Sequence, residues 1–177
     1  MQLLVCVQPE PEKDEITADD ICTVGTVVKI KQITRLPSDS VRILAEGLCR
    51  VRVRRFSFDE CFLAEADEIK PVHGDPTLEE AYFRTAKDIS KDSVARLDRC
   101  GDPDEYVNVA ANSLPLRDEV KQKILECENV TERLRMLERC LNDELEIMRL
   151  ARKINNAVRQ NIDKNQREYY LREQLKA

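Results

Sequence analysis

Cysteine and histidine are the side chains from which a metal site or a nucleophilic centre would most readily be built in this chain. Seven cysteines occupy positions 6, 22, 49, 61, 100, 127 and 140, and His73 is the single histidine. No two cysteines are spaced as C-x-x-C, whereas a zinc site needs close pairs of ligands. The spacing therefore predicts no metal site and no bound cofactor. It indicates reduced thiols in a cytoplasmic protein, most of them serving as small hydrophobic side chains.

Hydrolytic chemistry has no recognisable basis in the sequence either. The four glycines, at positions 25, 47, 74 and 101, stand apart from one another, whereas a phosphate-binding loop has the form G-x-x-x-x-G-K-[ST]. A Ser-His-Asp triad would have to use His73, which lies in a turn-forming segment, and the chain lacks a G-x-S-x-G nucleophile elbow. We therefore predict no catalytic residue, interpret His73 as an ordinary loop residue, and expect that the chain itself is not an enzyme.

One basic cluster is a candidate binding site. Its members are Arg50, Arg52, Arg54 and Arg55. The cluster is either a site for phosphate or an acidic peptide, or the solvent-facing side of one strand, balanced by Glu65 and Asp67 on a neighbouring strand. Because most of these arginines alternate with apolar residues, the pattern places a basic face opposite an apolar face. We favour the solvent-facing interpretation.

Aromatic residues provide two further candidates. Phe56, Phe58 and Phe62 flank a predicted turn. They would either anchor unfolded polypeptide or, as is more usual for aromatic residues that border strands, belong to the core. Tyr169 and Tyr170 are adjacent, so they cannot share one helix face. At least one of this pair is therefore predicted to be exposed unless another chain covers it.

The first part of the chain follows a β pattern. Predicted strands cover 3–7, 24–33, 41–45, 49–54 and 61–69, where β-branched and other apolar residues dominate or alternate with polar ones. Residues 36–40, L-P-S-D-S, form a predicted hairpin turn. Gly47 is expected to interrupt the ladder at a bulge or a corner. The acidic, proline-containing segment 8–20 is predicted to be a solvated loop.

Helix signals begin after the segment 71–76, which contains two prolines and a glycine. The hydrophobic period changes there from the alternation of strands to about 3.6 residues. The predicted helix starts are Thr77 with Glu80 as a capping box, Asp102 before Pro103, Pro115, and Asn129 with Glu132. An apolar stripe follows the last start: Leu134, Leu137 and Leu141.

A long helical arm is predicted to end the chain. A narrow stripe repeats there at steps of three or four residues: Leu145, Met148, Ala151, Ile154, Val158, Ile162, Asn165 and Tyr169. Its period near 3.5 suits a coiled-coil seam, and roughly 35 residues would make an arm of about 50 Å. We expect the arm to pack on the helical bundle up to about residue 158 and to pair with another subunit beyond it. The predicted contact residues are Ile162, Tyr169, Tyr170 and Leu175.

Composition limits the classes of function. A chain of 177 residues is long enough for one ordinary domain or two small ones. The net charge of -5 argues against a dedicated nucleic-acid binder, which usually carries a basic face. No apolar run approaches the roughly 18 residues of a membrane helix. The helix-forming run 165–177 contains no glycine, proline or cap, so we expect the chain to be a piece of a longer protein.

Several stretches resemble the N-terminal region of the bacterial ATP-dependent Lon proteases. Residues 165–177, N-Q-R-E-Y-Y-L-R-E-Q-L-K-A, resemble the run that precedes the ATPase module of that family. Residues 24–30, V-G-T-V-V-K-I, and 41–48, V-R-I-L-A-E-G-L, look like two of its strands. In the helical half, K-Q-K-I-L-E at 121–126 fits as well. Residues 38–40, S-D-S, replace the glycine-containing turn usual in the family.

The resemblance implies a non-catalytic substrate-recognition and oligomer-assembly module with an α+β fold. Residues 1–72 would form a PUA-like pseudobarrel lobe, which is incomplete because the family's first strand is missing. Residues 77–144 would form a helical bundle, and residues 145–177 would form a coiled-coil-like arm. The implied partners are unfolded, damaged or degron-bearing proteins and further copies in a homohexamer, with no membrane and no nucleic acid. ATP and Mg²⁺ would belong to ATPase and serine-protease domains outside this chain. The alternative is a freestanding PUA-like adaptor that binds peptide or nucleic acid.

Overall fold

The structure, a computed structural model, describes residues 2–10, 12–13, 16–37, 40–58, 61–90 and 97–176. It is an α+β fold, as predicted, in which a four-stranded antiparallel sheet precedes the helices. The strands are β1 (Gln2–Val5), β2 (Val24–Arg35), β3 (Val41–Phe58) and β4 (Phe62–Glu68). The helices are α1 (Pro76–Ser90), α2 (Pro103–Ser113), α3 (Asp118–Glu126) and α4 (Val130–Lys176). The closure into a pseudobarrel stays a prediction.

The sheet is a meander with the strand order β1-β2-β3-β4. Its central pair is much longer than its edges, since β2 and β3 pair from Val24 opposite Arg52 to Arg35 opposite Val41. The bulge predicted at Gly47 is confirmed: Val28 pairs with Gly47 while Val27 pairs with Cys49, which leaves Leu48 as the extra residue. Bulges of this kind bend the strand and increase its twist.

Gly25 allows β1 to lie close to β2. A Cβ atom at position 25 would lie 2.5 Å from the Val5 carbonyl oxygen and 2.5 Å from the Cys6 Sγ. Only a residue without a side chain fits such a close approach of two backbones.

The helix starts confirm two predictions and correct two others. Asp102 accepts a hydrogen bond from the backbone N–H of Glu105, with Pro103 at the first helical position. Asn129 caps α4 through Oδ1, which accepts from the backbone N–H of Glu132 at 3.0 Å. Each cap satisfies a donor that the helix itself leaves unpaired.

The first correction is at α1, where Asp75 takes the place predicted for Thr77. The Asp75 carboxylate accepts from the backbone N–H groups of Thr77 at 2.8 Å and Leu78 at 3.2 Å. Pro76 suits the first helical position, so the helix begins one residue before the predicted cap. The second correction is at α3, which begins at Asp118 rather than Pro115.

The chain divides into two compact units, Met1–Leu137 and Glu138–Ala177. The first unit holds the sheet, α1 to α3 and the beginning of α4. Its core includes Val24, Leu97, Tyr106, Val107, Ala110, Ile124, Leu134 and Leu137. The predicted domain boundaries at 72–77 and 144–145 stay predictions.

Two contacts organise the helical part of the first unit. The rings of Phe83 and Tyr106 meet edge to face, with centroids 5.3 Å apart. The connector between sheet and helices is held at the base of α4, because the Val72 N–H donates to the Glu128 carbonyl and the Val130 N–H to the Val72 carbonyl, each at 2.9 Å. Among the described residues, no helix has the length and apolar character that crossing a membrane requires.

Candidate functional site

The cysteines and the histidine form no cluster suited to metal binding in the part of the chain that the structure describes. Burial raises the pKa of the Cys6, Cys22, Cys100 and Cys140 thiols, which lowers their thiolate fraction and hence their reactivity. The absence of a metal ion or cofactor in the protein itself stays a prediction.

His73 lies in the loop before α1, as predicted, where its Nδ1 is 2.9 Å from the Glu79 Oε1. Glu79, through its hydrogen bond and its charge, raises the pKa of His73. The histidine ring is more than half exposed, whereas the Glu79 carboxylate is mostly buried. This geometry is that of a loop contact to the first turn of α1.

The basic cluster splits into two groups. Arg52 pairs with Glu128 at 3.0 Å, and Arg54 forms a two-point contact with Asp67 on β4. Asp67 raises the pKa of Arg54 through its hydrogen bond and its charge. These two exposed pairs agree with the solvent-facing interpretation, and of the two predicted acidic partners Asp67 is the one that pairs with an arginine, Arg54.

Arg50 contradicts that interpretation, because its side chain is only 5% exposed. Its Nη1 donates to the carbonyls of Leu125 at 3.0 Å and Cys127 at 2.7 Å, and its Nη2 lies 3.4 Å from the Asp104 carboxylate. The alternation along β3 correctly placed Arg50 on the face opposite the apolar residues. Near Arg50, however, the helices cover this face of the sheet. Arg50 is therefore a structural residue and not a solvent-facing one.

Arg133 of α4 joins the same buried network and is 1% exposed. It contacts the Asp104 carboxylate, and it donates to the Ile124 carbonyl at 2.9 Å and to the Asn108 Oδ1 at 2.6 Å. Burial lowers the pKa of Arg133, and the charge of Asp104 opposes that effect. Arg133 was not among the predicted site residues, because an arginine in a helical charge pattern is normally solvated.

The network contains two guanidinium groups and one carboxylate. The carbonyls of Ile124, Leu125 and Cys127 at the C-terminal end of α3 supply the remaining acceptors. That helix end carries a partial negative charge, which offsets the excess positive charge. The network therefore connects β3, α2, α3 and α4 and is too buried to receive a large ligand.

The exposed apolar surface lies on the sheet instead. Residues 30–35 of β2 and 41–48 of β3, here called the ribbon, extend beyond the pairing ranges of β1 and β4. Ile33 and Ile43 are opposite each other and are 54% and 49% exposed, and Leu44 is 60% exposed. The sequence pattern predicted this hairpin, and the structure shows that its apolar side chains are exposed.

The aromatic candidates have different environments. Phe56 is half-buried on β3, opposite Ala64. Phe62 is 51% exposed, so the core interpretation is wrong for this residue. Phe58 pairs with Phe62 across the strands, but its side chain lies outside the described part of the structure. All side chains of β4 are exposed.

The arm is exposed along the predicted seam. From Glu146 to Gln166 every described side chain is exposed, including Met148, Ile154, Val158 and Ile162. The expectation that the helix packs on the bundle as far as residue 158 concerns two separate compact units and stays a prediction. The side chains of Tyr169, Tyr170 and Leu175 lie outside the described residues, so their predicted contacts stay predictions.

Comparisons with solved structures identify the fold. The N-terminal domain of the Mycobacterium avium complex Lon protease is similar with a TM-score of 0.61 at 17% identity, covering 81% of this chain and 90% of that one. The Lon N-terminal domain protein from Xanthomonas campestris is similar with a TM-score of 0.56 at 18% identity, covering 77% of this chain and 74% of that one.

Sequence comparisons give the same result. Lon protease from Brevibacillus choshinensis is 34% identical over 99% of this chain, that from Clostridium acetobutylicum is 35% identical over 99%, and that from Escherichia coli strain K12 is 34% identical over 99%. The chain spans 24% of the length of each of these relatives. A family model described as the ATP-dependent protease La (LON) substrate-binding domain matches residues 1–143. On these grounds, the chain belongs to the Lon substrate-binding domain family.

Proposed function

We propose that this chain is the polypeptide-recognition and assembly module of a longer ATP-dependent protease in the cytoplasm. It binds unfolded or degron-bearing proteins through the sheet and associates with further copies of itself, as a homohexamer in the longer protein, through the arm. The module is non-catalytic: ATP, Mg²⁺ and the serine-protease chemistry belong to domains outside this chain.

The match to a substrate-binding domain over residues 1–143 carries the proposal. The exposed apolar side chains of the sheet support it, since contiguous apolar surface on a protein commonly marks an interaction site. They include Ile33, Val41, Ile43, Leu44, Phe62 and Leu63. A module of this kind would raise the effective concentration of the substrate near the catalytic domains.

The seam of the arm supports self-association. Its exposed apolar residues lie on the stripe of three- and four-residue steps and include Met148, Ile154, Val158 and Ile162. Such a helix gains most of its stability from packing against a partner rather than from helix propensity. A second arm is the partner whose seam has the same spacing.

Substrate recognition is tested by the binding of fluorescently labelled, unfolded casein to the purified chain. We expect saturable binding that a folded protein of similar size does not compete away. Binding of folded and unfolded protein with equal affinity, or of neither, would contradict the recognition role.

Assembly is tested by sedimentation of the wild type and of Ile162→Asp over a range of concentrations. Burying one isoleucine across a seam contributes about 1.5 to 3 kcal/mol, so a charge at this position should weaken self-association by at least about tenfold. Ile16→Asp, in an exposed loop, is the matched control and should leave self-association unchanged. Equal self-association of the wild type and Ile162→Asp would remove the arm from the proposal.

A further inference from the structure

We propose that the ribbon binds an extended polypeptide segment of alternating apolar and acidic residues, which adds as a strand to the outer edge of β3 at residues 41–48. This inference rests on the proposed function, because it names the surface and the substrate class through which recognition would occur. Three independent features of the ribbon support it: an unoccupied strand edge, apolar side chains at strand spacing, and an excess of basic charge.

The strand edge is the first feature. β4 pairs with β3 only between Val51 and Phe58, so within the described residues no strand lies beside 41–48 on the side away from β2. All eight residues of this segment are exposed. An edge strand presents a row of backbone N–H and C=O groups that pair with another extended chain. Lipids and nucleic acids have no backbone of matching spacing, which favours a polypeptide.

The apolar side chains are the second feature. Ile33 and Ile43 form a cross-strand pair, and Arg35 opposite Val41 lies on the same face two residues along each strand. Leu44, paired with Gln32, is on the other face. A strand added at the β3 edge would place alternate side chains beside Ile43 and Leu44, because successive residues of a strand point to opposite faces. Apolar residues in the added strand would then cover the exposed isoleucine pair.

The charge is the third feature. The ribbon contains three basic residues, Lys31, Arg35 and Arg42, against one acidic residue, Glu46, in a chain whose net charge is -5. Glu46 is already engaged by Lys31 at 2.5 Å. Arg35 and Arg42 make no ion pair with any residue in the described ranges. Opposite charge at the edge therefore favours acidic residues in the bound segment.

The direct test measures the fluorescence anisotropy of labelled ten-residue peptides with the full 177-residue chain. One peptide alternates valine and glutamate, a second alternates valine and lysine, and a third is the acidic peptide N-methylated at alternate residues. We expect the acidic peptide to bind at least about tenfold more tightly than the other two, and more weakly at high salt. Equal binding of the acidic and N-methylated peptides would overturn the strand-addition mode.

Variants then locate the site. Arg35→Glu with Arg42→Glu should reverse the preference between the acidic and basic peptides, and Ile33→Ser with Ile43→Ser should weaken both by about tenfold. The matched control is Leu3→Ser with Val5→Ser on β1, which removes similarly exposed side chains from another strand of the same sheet and should leave peptide binding unchanged. Circular dichroism establishes that each variant is folded, and the two charge reversals lie at exposed positions.

The outcomes separate this inference from the proposed function. Should unfolded casein bind the wild type and both ribbon variants equally, the ribbon is not the recognition surface, and the recognition role stands. Should casein not bind the wild type at all, the recognition role itself is wrong. Charge-reversal-sensitive binding of single-stranded DNA or of anionic lipid vesicles, with no binding of the acidic peptide, would overturn the choice of a polypeptide.

Discussion

The first turns of α4 and its later arm carry the same kind of apolar stripe but have opposite environments. Leu134 and Leu137 are completely buried, whereas Ile154, at the same helical spacing, is 62% exposed. The contrast shows that the spacing of apolar residues specifies a helix face but not what covers it. Residues of the same compact unit bury the apolar stripe in the first turns of α4. For the arm, we propose that a second copy of the chain buries it.

A second difference between these regions is the buried charge at the base of α4. Arg133 is buried among α2, α3 and β3 and shares Asp104 with Arg50. By contrast, the arginines of the arm from Arg149 to Arg159 are exposed. Matched substitutions in the two regions test whether burial accounts for this difference.

The largest effect is expected for Arg133→Met. The substitution puts an uncharged, apolar side chain in place of the buried guanidinium group. The Asn108 and Ile124 oxygens then lose their hydrogen-bond donor, and the Asp104 carboxylate loses one of its two arginine partners. Breaking a buried ionic contact typically costs about 3 to 5 kcal/mol in the free energy of unfolding. Urea denaturation followed by circular dichroism measures this, with Arg152→Met in the exposed arm as the control, where the change should stay within about 0.5 kcal/mol. Equal effects at the two positions would mean that the buried network does not stabilise the fold.

The next effect concerns the apolar stripes. Leu137→Ala should lower the free energy of unfolding by about 2 to 4 kcal/mol, because it leaves a cavity in the core. Ile154→Ala removes a side chain that is already largely in water and should change the unfolding of an isolated monomer by less than about 0.5 kcal/mol. Denaturation at a concentration where the chain is monomeric makes the comparison. A large destabilisation by Ile154→Ala there would show that the arm packs within its own chain.

The smallest effect concerns His73. Glu79 raises the pKa of His73 in the folded protein. The contact therefore stabilises the fold fully at pH values below the unfolded pKa of histidine, about 6.5. This stabilisation is lost as the pH rises through the higher pKa of the folded state. The ring is more than half exposed, so solvent screening should keep the contribution below about 1 kcal/mol. We expect the wild type to lose stability relative to His73→Gln between about pH 6 and pH 8. A difference that is constant over this range would contradict a protonated His73–Glu79 contact.

Much of the fold was predictable because it depends on neighbouring residues in the chain. The order of strands and helices, the bulge at Gly47, and the caps at Asp102 and Asn129 all follow from local turn, capping and periodicity rules. The α1 start was missed because Asp75 and Thr77 are both good caps, and the choice depends on where Pro76 fits. In the same way, Pro115 and Asp118 are both plausible helix starts.

Tertiary structure alone decided which of the chemically similar residues are buried. Arg50, Arg52 and Arg54 have the same side chain and alternate along one strand, yet only Arg50 lies where the carbonyls at the end of α3 and Asp104 can satisfy it. Likewise, the apolar pattern of β2 and β3 predicted a hairpin, but only the tertiary structure shows that Ile33 and Ile43 on it are exposed. The physical reason is that propensity and periodicity act between residues close in the chain, whereas burial depends on which distant elements meet.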